Sequence, residues 1–428
     1  MQAPDHLAGG SEKQAGPFAV PPVRDSEGGS VSTALAKILV VDDNAMNREM
    51  LSRRLGKQGY EACSAPDGQA ALDLIEAGGV DLVLLDIMMP GIDGFETLAR
   101  IRESRSPFDL PVIMATAKDE GDDIVRALDM GANDYVTKPF DYSVLKARVT
   151  TQVNLKLAHE QLKESHSRMA NDLEAAARIQ ASLLPRKGPE VSGFRFNWQY
   201  RPCDELAGDA LNVQRLDNGR IVFYLVDVSG HGVPAALLSV SVVHRLHPAP
   251  GPSSLIWRPG EAGEGLKLRS PSQVVNRLNS LYPIQDHGGL YFTMIYGLLD
   301  PETGDLGLVV AGHPRPILAR ADGRAEATGK PNPPVGMVPD VDYVESRCRL
   351  GLGDRLLFYS DGLTEVYGPE DEMFGDERLV DAMGEIRSIG LADVPGALAD
   401  YVLGWSGTDK FEDDLSILVL ESHLDGLA

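Results

Sequence analysis

Two α/β bodies joined by one long helix is the architecture this sequence predicts, and three observations lead to it. Between residues 37 and 138, five short apolar runs alternate with amphipathic segments. From about 141 to 184 the chain contains neither Pro nor Gly. Beyond about 194, strand-like segments follow one another across hairpin-sized gaps, with helical stretches among them. At 428 residues the chain exceeds one typical core, so two or three domains are expected.

Residues 1–34 are rich in Gly, Ser, Pro and charge, with little to fill a core, and read as a disordered tail. "KILVV" (37–41), "YEACSA" (60–65), "DLVLL" (81–85), "PVIMA" (111–115) and "DYVTK" (134–138) suit strands buried on both faces. Five βα units in this length imply a doubly wound, five-stranded parallel sheet for a domain spanning 35–150. Function in such sheets gathers at the carboxyl ends of the strands. A helical linker is expected over 151–190, where Leu155, Leu162, Met169, Ala176 and Leu183 recur every seven residues. The companion positions Ala158, Ser165, Asp172 and Ile179 are half polar. One good stripe suits either a coiled-coil homodimer or a single helix lying on a neighbouring domain. The segment 191–428 reads as α+β, with largely antiparallel sheets and helices outside. Its Gly/Pro-rich stretch 247–265 is expected to be a surface excursion, with Trp257 packed locally.

Composition narrows the function. Apolar residues make up 43% and charged residues 24%, as in a globular protein. The 63 acids outnumber the 40 bases, for a formal net charge of −23. Nucleic-acid affinity depends on Lys and Arg neutralising phosphates, so DNA or RNA partners are disfavoured. No helix-turn-helix signature appears either. The three scattered cysteines form no C-x-x-C pair and fit a reducing compartment. The N-terminus has no basic start and no apolar core, and no run approaches the ~18 apolar residues of a membrane span. A soluble cytoplasmic protein is the expectation.

Asp42 and Asp43 end the first predicted strand, Asp86 the third, Thr116 follows the fourth, and Lys138 ends the fifth. In a doubly wound sheet these meet at one edge. Two carboxylates ~4 Å apart repel by roughly 4 kcal/mol at an effective dielectric near 20. Three together call for a cation, and oxygen-only ligands favour Mg²⁺. A carboxylate beside Mg²⁺, with a hydroxyl and an ammonium near, is equipped to become an aspartyl phosphate. Any one strand-end Asp is usually a turn former; five positions in this order are hard to assign to turns. The motifs "VVDDN", "LLDIMMPGIDG", "MATA" and "VTKPF" make residues 37–150 resemble the receiver domain of two-component response regulators, a flavodoxin-like fold. The resemblance implies Asp86 as phosphoacceptor and Asp42 and Asp43 as its partners around Mg²⁺. It implies Thr116 and Tyr135 as a switch pair, Lys138 as the phosphoryl contact, a cis Lys138–Pro139 bond, and a sensor histidine kinase as donor.

A second set of acids lies farther on. "LVDVSGHGVPAALL" (225–238) ends a water-shy run on Asp227. A Ser229/His231 hydrolase is disfavoured, because D-V-S-G-H-G is not the G-x-S-x-G of a nucleophile elbow. "ELAGDALNV" supplies Asp209, "LLFYSDGLTEV" Asp361, and "FEDDLSILVL" Asp413 and Asp414. Each sits beside an apolar run, and no Lys or Arg accompanies them within these motifs. Four or five carboxylates without Cys suit a pair of hard ions, Mn²⁺ or Mg²⁺. Two such ions can bridge and acidify a water and neutralise a phosphate for in-line attack. Gly208, Gly230, Gly232 and Gly362 are expected to let the backbone approach the metals. His231 reads as a turn or supporting residue, and His313 in "AGHPRPIL" as structural.

"ARIQASLLP", "AGDALNV", "DVSGHGVPAALLS", "AGHPRPIL", "YSDGLTE" and "EDDLSIL" make residues 177–421 resemble the bacterial PPM-type serine/threonine phosphatases of the SpoIIE/RsbU group. The resemblance implies a sandwich of two antiparallel sheets flanked by helices, with a dinuclear Mn²⁺/Mg²⁺ centre between the sheets. It makes Asp209, Asp227, Asp361 and Asp413 metal ligands, with Val228 offering its carbonyl where many relatives have Gly. Asp414 is implied as a ligand or a supporting acid. Two departures stand out: Asn212 where the first motif carries a second acid, and Arg315 where Pro is common. The substrate implied is a phosphorylated STAS-domain anti-sigma-factor antagonist. Phosphorylation would replace the Asp86 carboxylate with a group carrying roughly −1.5 to −2 charges and would act through the 141–184 helix. A phosphatase-like adaptor that binds a phosphoprotein without cleaving it is the alternative.

Overall fold

In the computed structural model, residues 35–117, 121–251, 254–260 and 265–423 are described. The tail expected over 1–34 lies outside them. The chain divides into two compact units, Met1–Arg168 and Met169–Ala428.

The first unit is built on β1 (Lys37–Val41), β2 (Glu61–Ala65), β3 (Leu82–Asp86), β4 (Val112–Ala117) and β5 (Asp134–Lys138). All pairs are parallel, in the order β2-β1-β3-β4-β5. The inner strands β1 and β3 are apolar and buried because both faces are covered, whereas the edge strands β2 and β5 are partly exposed. Leu39, Val41, Val83 and Leu85 pack on one face, and Ile38, Val40, Leu82 and Leu84 on the other. The crossover helices are α1 (Ala45–Gly56), α2 (Gly68–Glu76), α3 (Gly94–Ser104) and α4 (Gly121–Asp129). Three of them start on side-chain caps: Asn44, Asp67 and Asp93 accept the amides of Met46, Ala70 and Glu96 at 2.9, 2.9 and 2.8 Å.

α5 runs without interruption from Tyr142 to Ala181, 40 residues. It begins within the 35–150 segment and passes the boundary between the units. Its first turns bury Leu145, Val149 and Val153 against the sheet. The heptad stripe beyond is exposed at Leu155, Leu162 and Met169.

The second unit contains β6 (Phe194–Arg201), β7 (Ala210–Arg215), β8 (Ile221–Val228), α6 (Val233–Arg245), β9 (Trp257–Pro259), β10 (Leu266–Leu268), α7 (Pro271–Leu281), β11 (Phe292–Leu299) and β12 (Asp305–Ala311). It continues with β13 (Ile317–Ala319), β14 (Ala325–Ala327), β15 (Pro331–Asn332), β16 (Ser346–Arg349), β17 (Arg355–Tyr359), α8 (Gly375–Glu385), α9 (Val394–Ser406) and β18 (Leu415–Ser422). One sheet has the order β15-β12-β11-β8-β7, with β16 also pairing β12; the other has the order β14-β13-β17-β18-β6. Every pair is antiparallel except β12–β15. Trp257 is packed locally, as expected: it is buried in β9, which pairs antiparallel with β10, and its indole donates to the Pro248 carbonyl at 2.8 Å, while 252–253 and 261–264 of the expected excursion lie outside the described residues.

Side-chain alternation sorts the layers. In β8, Val222, Tyr224, Val226 and Val228 face α6 and α7, while Ile221, Phe223 and Leu225 face the opposite sheet. There they meet Leu356 and Phe358 of β17 and Leu418 and Leu420 of β18. The Phe223 and Phe358 ring centroids are 4.7 Å apart. α8 and α9 cover the far side.

Candidate functional site

The same alternation places the chemistry of the second unit. Residues 221, 223 and 225 point between the sheets, so the next in that series, Asp227, falls at the end of the sandwich core. Thr293 holds the equivalent place in β11, directly opposite Asp227 in the ladder. Ser416 continues the inward series Leu418 and Leu420 of β18. Where the apolar layer stops, hydroxyls and carboxylates take over.

A cavity of about 570 Å³ opens there. Asp227, Val228, Asp361, Asp413 and Asp414 line it, with Cys203, Asp204, Ser229, His231, Thr293 and Lys410. Asp209 is not on the wall: it is 2% exposed, and its Oδ2 has no hydrogen-bond partner. The Ser416 and Ser360 hydroxyls lie near its carboxyl and oppose the upward push on its pKa. Asp414 works as a clamp, accepting the Cys203 and Gly208 amides at 2.9 and 2.7 Å. Ligand atoms of Cys203, Asp413 and Asp414 lie within 4.8 Å of one another. Asn212 is buried beside Tyr224 and is absent from the wall.

Ser229 and His231 make no pair. The Ser229 hydroxyl donates to the Tyr291 carbonyl and accepts the Tyr291 amide at 2.9 and 3.1 Å, while His231 faces Asp204. Two of the glycines let backbone segments pack closely. A Cβ on Gly362 would stand 2.2 Å from the Asp414 carbonyl oxygen, and one on Gly208 would stand 2.9 Å from that of Val228. Thr293, Cys203 and Lys410 lie outside the sequence motifs. Thr293 was legible as the continuation of an inward series. Cys203 and Lys410 sit on connecting loops that carry no periodic signal.

Electrostatics mark the cavity as short of positive charge. Burial, then the charges of Asp361, Asp413 and Asp414, push Asp227 up to about 8. Burial and then Glu365 and Asp413 push Asp361 up to about 6. Asp209 is raised well above the usual carboxylate range by burial and Asp227, and Asp413 is raised by burial. Lys410 is the one Lys or Arg among the described wall residues. Unpaired carboxylates in low dielectric favour the proton unless a cation replaces it. An oxygen-rich donor set with an orphaned carboxylate oxygen behind it fits hard divalent ions.

In the first unit, Asp42, Asp43 and Asp86 bring ligand oxygens within 4.8 Å of one another at the carboxyl edge of the sheet. Lys138 Nζ bridges Asp86 at 2.6 Å and Asp42 at 2.9 Å. Asn47 Nδ2 donates to both Asp42 oxygens at 3.1 Å. Asp86 and Asp42 are buried, Asp43 exposed. Burial raises the Asp86 pKa, against the pull of Lys138. Burial lowers Lys138, but its bonds to Asp86 and Asp42 outweigh that and leave it raised. Thr116 is buried near the end of β4, and Tyr135 lies under the Arg148 guanidinium, 4.9 Å from the ring centroid. The Lys138–Pro139 bond is cis. A Cβ on Gly94 would stand 2.3 Å from the Asp86 carbonyl oxygen, so α3 starts against the strand end only because position 94 is glycine.

Residues 38–150 match the family described as response regulator receiver domain, and residues 217–423 that described as Stage II sporulation protein E (SpoIIE). The chain joins a response-regulator receiver to a SpoIIE-type PPM phosphatase domain. Among solved structures, the RsbU and RsbW domains of a Mycobacterium tuberculosis protein are similar at 24% identity and a TM-score of 0.47. That match covers 57% of this chain and 64% of the other, so this chain spans less than two thirds of that relative. The SiaA PP2C domain of Pseudomonas aeruginosa is similar at 18% identity and a TM-score of 0.48, over 61% of this chain and 99% of the other. A response regulator from Chloroflexus aurantiacus is 35% identical over 28% of this chain and 98% of its own, with a TM-score of 0.26. The acidic edge of the receiver and the sandwich end of the SpoIIE-type domain thus belong to two domains of recognised kind. Among the described residues, no helix is long and apolar enough to cross a membrane.

Proposed function

We propose that this chain is a response regulator whose output is a divalent-metal-dependent protein serine/threonine phosphatase. The observation that carries the reading is the convergence of Asp227, Asp361, Asp413 and Asp414 on one cavity, with the Asp227, Asp361 and Asp413 carboxyl pKa values raised and almost no cation to offset them. The Asp227, Asp361 and Asp413 carboxylates and the Val228 carbonyl would hold Mn²⁺ or Mg²⁺, with Asp209 and Asp414 beside them. Two bound ions would supply an acidified water and neutralise the phosphate charge. The chain's own groups do the rest. Asp414 fixes the 203–209 loop on the cavity rim. Lys410, the one Lys or Arg among the described wall residues, would meet a phosphate oxygen. Thr293 orients Asp227 from across the ladder.

In the receiver, Asp86 is the proposed phosphoacceptor, with Asp42 and Asp43 completing the Mg²⁺ site. Lys138, already within hydrogen-bond reach of Asp86, would hold the phosphoryl group, and Thr116 and Tyr135 would respond to it. The donor would be a sensor histidine kinase. The SpoIIE family match supports a phosphorylated STAS-domain anti-sigma-factor antagonist as substrate, in a partner-switching circuit in the cytoplasm. The exposed stripe Leu155, Leu162 and Met169 supports pairing of two chains through α5.

The deciding experiment is Mn²⁺-dependent release of phosphate from a phosphoserine STAS protein, with and without acetyl phosphate. Release that vanishes with chelator and changes with acetyl phosphate is expected. Retention of the phosphoprotein without cleavage would instead establish the adaptor reading.

A further inference from the structure

One residue that the motifs present as structural has a line of contact to the cavity. This inference rests on the metal-dependent reading of the site and adds to it. His313 follows β12 and is 6% exposed. Its Nδ1 lies 2.6 Å from Thr293 Oγ1. Thr293 Oγ1 in turn lies 3.5 Å from Asp227 Oδ2, its direct partner in the β8–β11 ladder. The adjacent strands β8 and β11 and the turn after β12 thus contribute one residue each to a path from the interior to the cavity wall. Gly312 makes the turn possible: its φ is +66°, and a Cβ there would stand 2.5 Å from Pro334 Cγ.

The Thr293 hydroxyl has one proton to give. If Nδ1 were bare, Thr293 would donate to His313 and turn a lone pair toward the Asp227 carboxylate. The ring proton would then sit on Nε2, which is buried without a hydrogen-bond partner of normal geometry. With the proton on Nδ1, His313 donates to Thr293, Thr293 donates to Asp227, and each contact pairs a donor with an acceptor. The backbone of Tyr359 is the group that would favour a proton on Nε2.

We propose that His313 is a positioning residue, which through the Thr293 hydroxyl holds Asp227 Oδ2 and leaves Oδ1 free for a divalent ion. The interaction is the outer-partner kind that fixes a ligand's orientation, and its loss typically costs ~10–100-fold in metal affinity.

The test measures Mn²⁺ binding to the metal-free full-length chain by electron paramagnetic resonance, for the parent, Thr293→Val, His313→Leu and His313→Asn. Thr293→Val keeps the shape of a strand residue and removes only the hydroxyl. His313→Asn can return an N–H near the place of Nδ1. Thr293→Val and His313→Leu are expected to weaken binding ~10-fold or more, and His313→Asn to recover most of it. At saturating Mn²⁺, phosphoester turnover should return toward the parent value while the metal requirement stays raised. Nitrogen-15 spectra should place the His313 proton on Nδ1. Parent-like Mn²⁺ affinity in Thr293→Val, equal loss in both His313 variants, or a proton on Nε2 would each overturn the inference. A parent chain that binds no Mn²⁺ would remove the metal-dependent reading itself, a result the variants cannot mimic. If His313→Leu fails to fold, Thr293→Val and the spectra decide.

Discussion

The Asp414 carboxylate accepts the Gly208 amide at 2.7 Å across 206 residues of chain, with Cys203 N on its other oxygen at 2.9 Å. One side chain therefore ties the last strand to the loop that carries Asp209. Asp414→Asn keeps the shape but turns one acceptor into a donor facing an amide. Leaving a buried donor unsatisfied costs about 1–3 kcal/mol. The urea midpoint of the C-terminal transition should fall accordingly with an unchanged slope. An unaltered midpoint would mean the clamp contributes nothing.

Asp227 and Asp361 stand at the cavity with the largest demand for a cation. Asp227→Asn and Asp361→Asn remove a charge and an oxygen donor without changing volume. Each should lower turnover by more than the ~10–100-fold that losing an outer partner costs. Circular dichroism should meanwhile show an intact fold. Turnover within a few-fold of the parent would argue for a route that does not use these ligands.

Protons and metal should compete in that pocket. In the metal-free chain Asp227 is raised to about 8 and Asp361 to about 6, both above the ordinary carboxylate value of 3.8. An acid whose folded pKa is raised holds protons in the folded state that the unfolded chain has lost. Its contribution therefore favours folding at low pH and is withdrawn as pH rises from about 4 toward 8. The C-terminal domain without metal should be more stable at pH 5.5 than at pH 8, as read by thermal melting. Added Mn²⁺ should reverse the order, and its binding should release protons to the buffer. Proton-neutral binding at pH 7 would contradict the raised values.

Lys138 neutralises a buried pair of acids. Lys138→Ala leaves Asp42 and Asp86 facing each other, so the Asp86 pKa should move further up, in the direction burial already drives it. Labelling by acetyl phosphate with Mg²⁺ at neutral pH should slow about 10-fold or more, since a charge-assisted contact is worth ~1.5–3 kcal/mol. Labelling at the parent rate would show that Lys138 has no part in the transfer.

Asp86→Asn tests the coupling of the two halves. It removes the proposed acceptor while leaving every group of the phosphatase cavity in place. Any change in phosphatase rate that acetyl phosphate produces in the parent should disappear in this variant. A phosphodonor effect that survives would place the control elsewhere.

Much of this was legible in the chain itself, for reasons that differ by site. The receiver edge could be read directly, because in a parallel sheet every strand delivers its last residue to the same side. Asp42, Asp86 and Lys138 needed only their strand ends to be recognised, and their motifs named the family. The acids of the second unit were legible as strand-end residues next to apolar runs, but their roles were not. Asp209, Asp227, Asp361 and Asp413 looked equivalent in sequence, yet Asp209 is buried behind the wall while Asp413 is exposed on it. Alternation reveals which face a residue takes, not how deep along the sandwich it lies.

The sequence by itself determined the five strands of the receiver, the long helix and the family of each half. Apolar period, caps and turn glycines act locally and leave a local signature. Only the tertiary structure decided that Asp414 would clamp a loop some two hundred residues earlier, that Thr293 would face Asp227, and that His313 would stand behind them both. Those relationships depend on sheet register and on which loops close over the sandwich end. Such contacts are set by packing between distant segments, and no short window of sequence carries them.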